Sequence, residues 1–350
     1  MGWFIAGERI SVAPAGVMAG WKYPPPSAPP NYEEAHPGSY DIHERVKLMD
    51  EEGIWAQVIY PNVGGFGSQR FLMMKDPELM LACVQAYNDF LAEWTAPYKD
   101  RFVRIAAMPF WDPDACIAEM ERTRKMDFAG MLFCSDPSVY NFPALSDEHW
   151  DNLWAAAQDL EMPVNFHIGS AAIGEDTRPR PRLGRQANFA LGTVKMFLSN
   201  ADVVADVCYS GILRRYPNLK IVSVESGIGW VPFLLEAMDH QWRENAVNKE
   251  RPDDLLPSEY FRRQVYTCFW FEQIAPSRLL DVIGVDHVLF ETDFPHPTSL
   301  YPATTVREHI ATCFGEQPEW MRRKVLFENA AALYKVPLPK EWPLASVAAD

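Results

Sequence analysis

Short apolar runs recur along the chain, each stopped by proline, glycine or an acid and each followed by a stretch with helical spacing. The runs lie at 56–60, 102–108, 130–134, 163–168, 220–225, 265–270 and 287–292. Rich in Val, Ile and Phe and not alternating with polar residues, they read as strands buried on both faces of a parallel sheet. Helices fill the gaps. Asp41 caps one that carries Val46, Leu48 and Met49 and stops at Gly53. Asp76-Pro77-Glu78 and Asp112-Pro113-Asp114 each place an acid before a proline at the first helical position. Further helices are expected at 147–160, 188–215, 230–242, 274–283, near Val306 and at 320–334. Strand–helix alternation implies an α/β fold, a (β/α)8 TIM barrel. Seven strands are legible, and the eighth would have to precede Asp41, where no clean strand stands. The front differs from the rest. Trp3 to Val12 reads as a hairpin turning at Gly7, and a proline-rich segment follows. The expected division is 1–40 for the hairpin and proline-rich segment, 41–336 for the barrel and 337–350 for a tail on the surface.

Chemistry is expected where strands end, because a β/α barrel gathers its catalytic groups at the carboxyl rim. The run Val288-Leu289-Phe290 meets Glu291-Thr292-Asp293 and halts at Pro295 and Pro297, with His296 between them. Glu291 and Asp293 share a side if the strand continues, and two such carboxylates call for a cation or a shared proton. The strand at 163–168 ends in His167, that at 220–225 in Glu225, and that at 56–60 in Tyr60, with Asn62 beyond. His167 and Asp293 suit a zinc-type site with Glu225 as proton shuttle. The plain alternatives are a core histidine, a helix-capping Glu225 and a His296 that only orients Asp293. Candidate pocket walls are Tyr60, Asn62, Phe166, Trp230 and Phe294, and His296 is a further candidate substrate contact. Arg178, Arg180, Arg182 and Arg185 offer a carboxylate clamp or a solvated loop; of these Arg178 is the first choice. The loop Gly64-Gly65-Phe66-Gly67 fits no phosphate-binding pattern.

Charge narrows the partners. With 32 basic against 47 acidic residues the net charge is -15, which argues against nucleic acid. The 6 cysteines form no CxxC and read as core residues in a reducing compartment. No apolar run is long enough for a bilayer, and no leader pattern opens the chain. The expected setting is cytoplasmic, with a small-molecule substrate and no membrane partner.

Three motifs, in order, resemble the amidohydrolase superfamily: Pro163-Val164-Asn165-Phe166-His167-Ile168-Gly169, Val224-Glu225-Ser226-Gly227-Ile228-Gly229-Trp230-Val231-Pro232 and Phe290-Glu291-Thr292-Asp293-Phe294-Pro295-His296. The branch is that of aminocarboxymuconate semialdehyde decarboxylase and the resorcylate decarboxylases. The ending Glu328-Asn329-Ala330-Ala331-Ala332-Leu333-Tyr334 is also similar. The resemblance spans 41–336 and implies a distorted barrel with one divalent metal, zinc first and manganese as the alternative. It implies His167 as a metal ligand, Asp293 as the metal-binding carboxylate of the last strand, and a homodimer; Glu225 and Asp293 are the catalytic candidates. Many relatives carry histidine at the Glu225 position. The family's first strand, with its His-x-His or Glu-x-His pair, is not found here, and the expected cause is a late start or a shortened chain. The first functional expectation is a hydrolase acting on a small carboxylate or ring compound. Non-oxidative decarboxylation on the same scaffold is the alternative. An impaired or non-catalytic ligand-binding barrel and, more weakly, a hydratase or dehydratase are further readings.

Overall fold

All seven apolar runs are strands in the computed structural model, which describes residues 2–12, 14, 16–171 and 180–339. A hairpin of β1 (Gly2–Ile5) and β2 (Glu8–Val12) pairs only with itself. The main sheet follows: β3 (Gln57–Ile59), β4 (Phe102–Ala107), β5 (Gly130–Leu132), β6 (Val164–His167), β7 (Ile221–Val224), β8 (Val265–Phe269) and β9 (Val288–Phe290). These lie side by side in chain order, every neighbour pair parallel. Such an order demands a crossover after each strand, and helices supply it. They are α1 (Ile42–Glu52), α2 (Pro77–Thr95), α3 (Pro113–Arg124), α4 (Asp151–Asp159), α5 (Gly184–Tyr209), α6 (Val231–Glu244), α7 (Pro257–Gln264) and α8 (Ala303–Phe314), with shorter turns between. Asp41, Asp76 and Asp112 each accept backbone N–H groups as N-caps, and Gly53 closes α1 at φ 75.

Two expected helices are broken. The stretch 188–215 begins earlier, at Gly184, and divides at Gly211, whose φ of 78 no helix tolerates; Ile212–Arg215 is a separate turn. The stretch 274–283 forms two short helices, Ile274–Arg278 and Leu280–Ile283.

Period-2 alternation divides each strand between two cores. Val164, Phe166 and Ile221 face the helices and join the large outer cluster. Val103, Ile105, Leu132, Val222, Val224, Cys268 and Leu289 pack inside the curl of the sheet, with Tyr334 from the last helix. The curl is that of a distorted TIM barrel. It does not close among the described residues: β3 and β9 each have a neighbour on one side only. Between them runs a cavity of about 1990 Å³, lined by Val58 and Tyr60 on one edge, Leu289 and Glu291 on the other, and Arg45 and Glu52 of α1. This is where an eighth strand would stand, as the absence of a legible first strand leads one to expect. No helix among the described residues is long and apolar enough to cross a membrane.

Candidate active site

Strand register brings the first two groups together. His167 at the end of β6 stands opposite Val224 of β7, so the next residue, Glu225, emerges beside it. His167 Nδ1 lies 2.7 Å from the Ile168 carbonyl oxygen. A carbonyl only accepts, so Nδ1 carries a hydrogen and Nε2 is turned toward Glu225. Nε2 meets Glu225 Oε2 at 2.7 Å. The ring is held flat by Phe66, stacked at 3.8 Å between centroids, and flanked by Tyr60 at 5.5 Å.

Backbone strain aims the two acids. Glu225 and Asp293 each follow a buried strand and each sit at φ 59, the left-handed region that non-glycine residues avoid. Such conformations persist where the surroundings over-determine them, and they concentrate at functional sites. Because Asp293 leaves the extended conformation, its placement is set by this turn and not by simple alternation from Glu291. His296 Nδ1 lies 2.7 Å from Asp293 Oδ1 and 3.8 Å from Glu225 Oε1. Its Nε2 is 3.2 Å from Asn62 Nδ2. Thr298 Oγ1 donates to Asp293 Oδ2 at 3.2 Å. Donor atoms of Glu225, Asp293 and His296 all lie within 4.8 Å of one another.

The charges here are mutually dependent. Burial pushes the Glu225 carboxyl upward, but the His167 imidazole, and then His296, outweigh it and hold Glu225 below the ordinary range. Burial lowers His296, yet Asp293 and Glu225 together drive it well above its ordinary value. Asp293 is raised by burial and by Glu225, with His296 opposing. Glu291 is raised far more, by burial and then by the charges of Glu225 and Asp293; its Oε1 has no hydrogen-bond partner.

Among the described residues no lysine or arginine pairs with Glu225 or Asp293; the side chains that meet them are imidazoles and, at Asp293, the Thr298 hydroxyl. Buried carboxylates without a fixed cation, beside imidazole nitrogens, form a donor set that fits a divalent metal ion.

Comparison with known proteins decides the family. The sequence profile of the family described as "Amidohydrolase" matches residues 24–336. The chain belongs to the amidohydrolase family. A gamma-resorcylate decarboxylase from Polaromonas sp. (strain JS666) is 27% identical over 318 residues, covering 85% of this chain and 88% of the relative. The crystal structure of amidohydrolase map2389c from Mycobacterium avium subsp. paratuberculosis K-10 matches with TM-score 0.68 at 23% identity, over 89% of this chain and 80% of that one. A dihydroxybenzoic acid decarboxylase from Polaromonas sp. JS666, solved with bound manganese and the inhibitor 2-nitroresorcinol, matches with TM-score 0.60 at 24% identity, over 84% and 86%. This places the amidohydrolase in the branch of the resorcylate and aminocarboxymuconate semialdehyde decarboxylases. It is an enzyme of the class that holds metal-dependent hydrolases and carboxy-lyases.

Within this amidohydrolase the structure brings together His167, Glu225, Asp293, His296 and Asn62. Tyr60 and Phe294 line the cavity. The Tyr60 hydroxyl, however, donates inward to Asn165 Oδ1 at 3.0 Å. Two expected walls are elsewhere. Phe166 is 1% exposed and packs in the outer core, because in a strand whose His167 points inward its neighbour must point out. Trp230 sits just before α6, where its indole N–H donates to the Ser226 carbonyl at 3.0 Å, and does not line the cavity. Arg178 lies outside the described residues, and Arg180, Arg182 and Arg185 do not line the cavity. Glu225 does not cap α6; its carboxylate is turned to the imidazoles. Phe66, which the sequence does not mark as a site residue, comes from the Gly64–Gly67 loop and stacks on His167. The available signal is the glycines: a Cβ on Gly67 would stand 2.7 Å from the Ser170 carbonyl oxygen, so the loop can dock against the segment after β6 only with glycine at 67.

Proposed function

We propose that this amidohydrolase is a metal-dependent, non-oxidative carboxy-lyase acting on a small aromatic acid of the hydroxybenzoate type. The observation that carries the reading is the buried position of Glu225 between two imidazoles, with His167 Nε2 at 2.7 Å and His296 Nδ1 at 3.8 Å. A carboxy-lyase must replace the departing CO₂ with a proton, and this cluster holds protons on groups facing the cavity. The carboxy-lyase reading now stands ahead of hydrolysis, because the curated relative described above is a decarboxylase.

His167 and Asp293 would hold the cation, manganese first given the bound metal of the Polaromonas structure, zinc second. Once bound, the cation would polarise and hold substrate oxygens. His296 fixes the orientation of Asp293, and Asn62 fixes His296. With His167 Nε2 given to the cation, a proton held between His296 and Glu225 would pass through Glu225 to the ring carbon that bears the carboxylate. The electron pair of the C–C bond then stays on the ring as CO₂ departs. Phe66, Tyr60 and Phe294 present apolar faces for an aromatic ring. We also propose a homodimer in the cytoplasm, a compartment that suits 6 free cysteines, 5 of them buried.

The test is turnover of 2,6-dihydroxybenzoate and related hydroxybenzoates with manganese or zinc, following CO₂ and the phenol. Glu225→Gln should lower turnover about 10²-fold or more while the metal stays bound, the usual scale for losing a general acid–base group. Metal loss in that variant would make Glu225 a ligand. Activity on lactones or amides with none on aromatic acids would return the reading to hydrolase. A second reading, a non-catalytic ligand-binding barrel, is favoured by the open slot between β3 and β9. It predicts less than stoichiometric metal after reconstitution and no turnover.

A further inference from the structure

Glu225 owes its aim to a left-handed backbone, and something must hold that backbone. The turn that follows, 226–229, joins β7 to α6 and is gripped from outside the strand. Glu272, between β8 and the helix Ile274–Arg278, reaches across to it. Glu272 Oε2 accepts the Ile228 backbone N–H at 2.7 Å, and Oε1 accepts the Gly229 N–H at 2.6 Å. Two consecutive amides on one carboxylate make a charge-assisted, bidentate contact with a fixed orientation. The spacing of glycines is explained by it. A Cβ on Gly227 would lie 2.8 Å from Oε2, and one on Gly229 would lie 2.8 Å from Oε1. Gly227 also needs its φ of 74. The Glu272 backbone is itself tethered, its carbonyl accepting from Cys313 Sγ of α8 at 3.2 Å. On the near side of the turn, Ser226 Oγ meets Ser223 Oγ at 2.7 Å, and the Ser226 carbonyl takes the Trp230 indole N–H. Glu272 does not line the cavity, and its carboxylate is met by these two backbone amides.

We infer that Glu272 is a positioning residue: by clamping the Ile228 and Gly229 amides it fixes the 226–229 turn and thereby the left-handed conformation that points Glu225 at His167. It acts through Glu225 and touches no substrate. The catalytic consequence rests on the proposed carboxy-lyase reading; the conformational one does not.

Three variants test it: Glu272→Ala, Glu272→Gln, which keeps one acceptor, and Gly229→Ala, which drives a methyl into the clamp. In metal-free protein, amide hydrogen exchange across 225–230 should quicken about tenfold in Glu272→Ala, a local loosening distinct from global unfolding. In ¹⁵N-histidine spectra the hydrogen-bonded Nε2 signal of His167 should vanish with it, and both effects should be partly rescued in Glu272→Gln. With manganese and an aromatic acid, kcat should fall about 10²-fold with KM within about twofold, as for a misplaced catalytic group. Glu272→Ala and Gly229→Ala combined should be no worse than the first alone, because both break one clamp. Unchanged exchange and an unchanged His167 signal in Glu272→Ala would overturn the inference, as would a loosened turn with wild-type kcat. A wild-type chain inactive on every acid would sink the carboxy-lyase reading, and the exchange and histidine measurements would still decide the clamp. If Glu272→Ala does not fold, Glu272→Gln carries the same comparisons.

Discussion

His167 Nε2 and Glu225 Oε2 stand 2.7 Å apart at the ends of neighbouring strands. At that separation a nitrogen and an oxygen share a hydrogen, and the His167 Nδ1 hydrogen is already given to the Ile168 carbonyl. The imidazole in this arrangement is therefore doubly protonated, or the carboxyl carries the proton. A metal ligand must give that proton up. Loading with manganese or zinc should accordingly release protons, and apparent metal affinity should rise with pH. Calorimetric titration in two buffers of different ionisation enthalpy measures the number released. A binding enthalpy independent of buffer would mean the cation binds elsewhere.

The roles of Asp293 and His296 separate in the same way. Asp293 is proposed to touch the cation, and His296 to orient Asp293 through its 2.7 Å contact. Asp293→Ala and His167→Ala should each abolish metal retention. His296→Ala should retain metal but weaken it about 10–100-fold, the usual effect of losing a partner that orients a ligand. Metal content after dialysis, followed by competition with a chelator, ranks the three. If His296→Ala loses metal as completely as Asp293→Ala, His296 is itself a ligand.

Much of this frame is legible in the sequence, for a physical reason. Strands buried on both faces appear as unbroken apolar runs, and Pro61, Pro109 and the acids after 224 and 290 mark their ends. The same runs located His167, Glu225 and Asp293, since the carboxyl end of a parallel strand is the barrel's working rim. Errors arose where side-chain direction mattered. Phe166 cannot be a wall, because His167, one residue on, claims the inner face. Aromatic character alone does not put Trp230 in the pocket, since its indole is held back by the Ser226 carbonyl. The Glu272 clamp was not legible at all: its partners are backbone amides 43 and 44 residues away, and backbone groups leave no signature beyond the two glycines beside them.

Asn165, 0% exposed, knits the floor beneath the site. Its Oδ1 accepts from Tyr60 at 3.0 Å and from Tyr334 at 2.7 Å, and its Nδ2 donates to the carbonyls of Met131 and Pro163 at 3.1 and 3.0 Å. Every hydrogen-bonding capacity of the amide is used. Asn165→Ala leaves two phenol hydroxyls and two carbonyls without this partner, so destabilisation of about 3 kcal/mol is expected in urea unfolding. Tyr60→Phe removes one donor only and should cost about 1 kcal/mol. Equal effects from the two would mean the network does not act as a unit.

Glu52 gives stability a pH dependence that its position explains. It faces the cavity with both carboxylate oxygens unpartnered. Burial raises it to about 7, with Arg45 opposing. Arg45 cannot relieve it by direct contact, because its guanidinium is committed to the Gly38 carbonyl and to Gln57 Oε1. In the unfolded chain Glu52 titrates near 4.3. A group raised on folding holds its proton more tightly in the native state. Its contribution is therefore fully present below about pH 4.3 and is lost as pH climbs through about 7. Glu52→Gln removes the titration. At pH 8 the variant should be more stable than the wild type by about 1–2 kcal/mol, after discounting for water that reaches the cavity, and the difference should shrink toward zero near pH 4. Urea midpoints across that range measure the slope; parallel curves for the two proteins would mean that Glu52 is solvated or already paired.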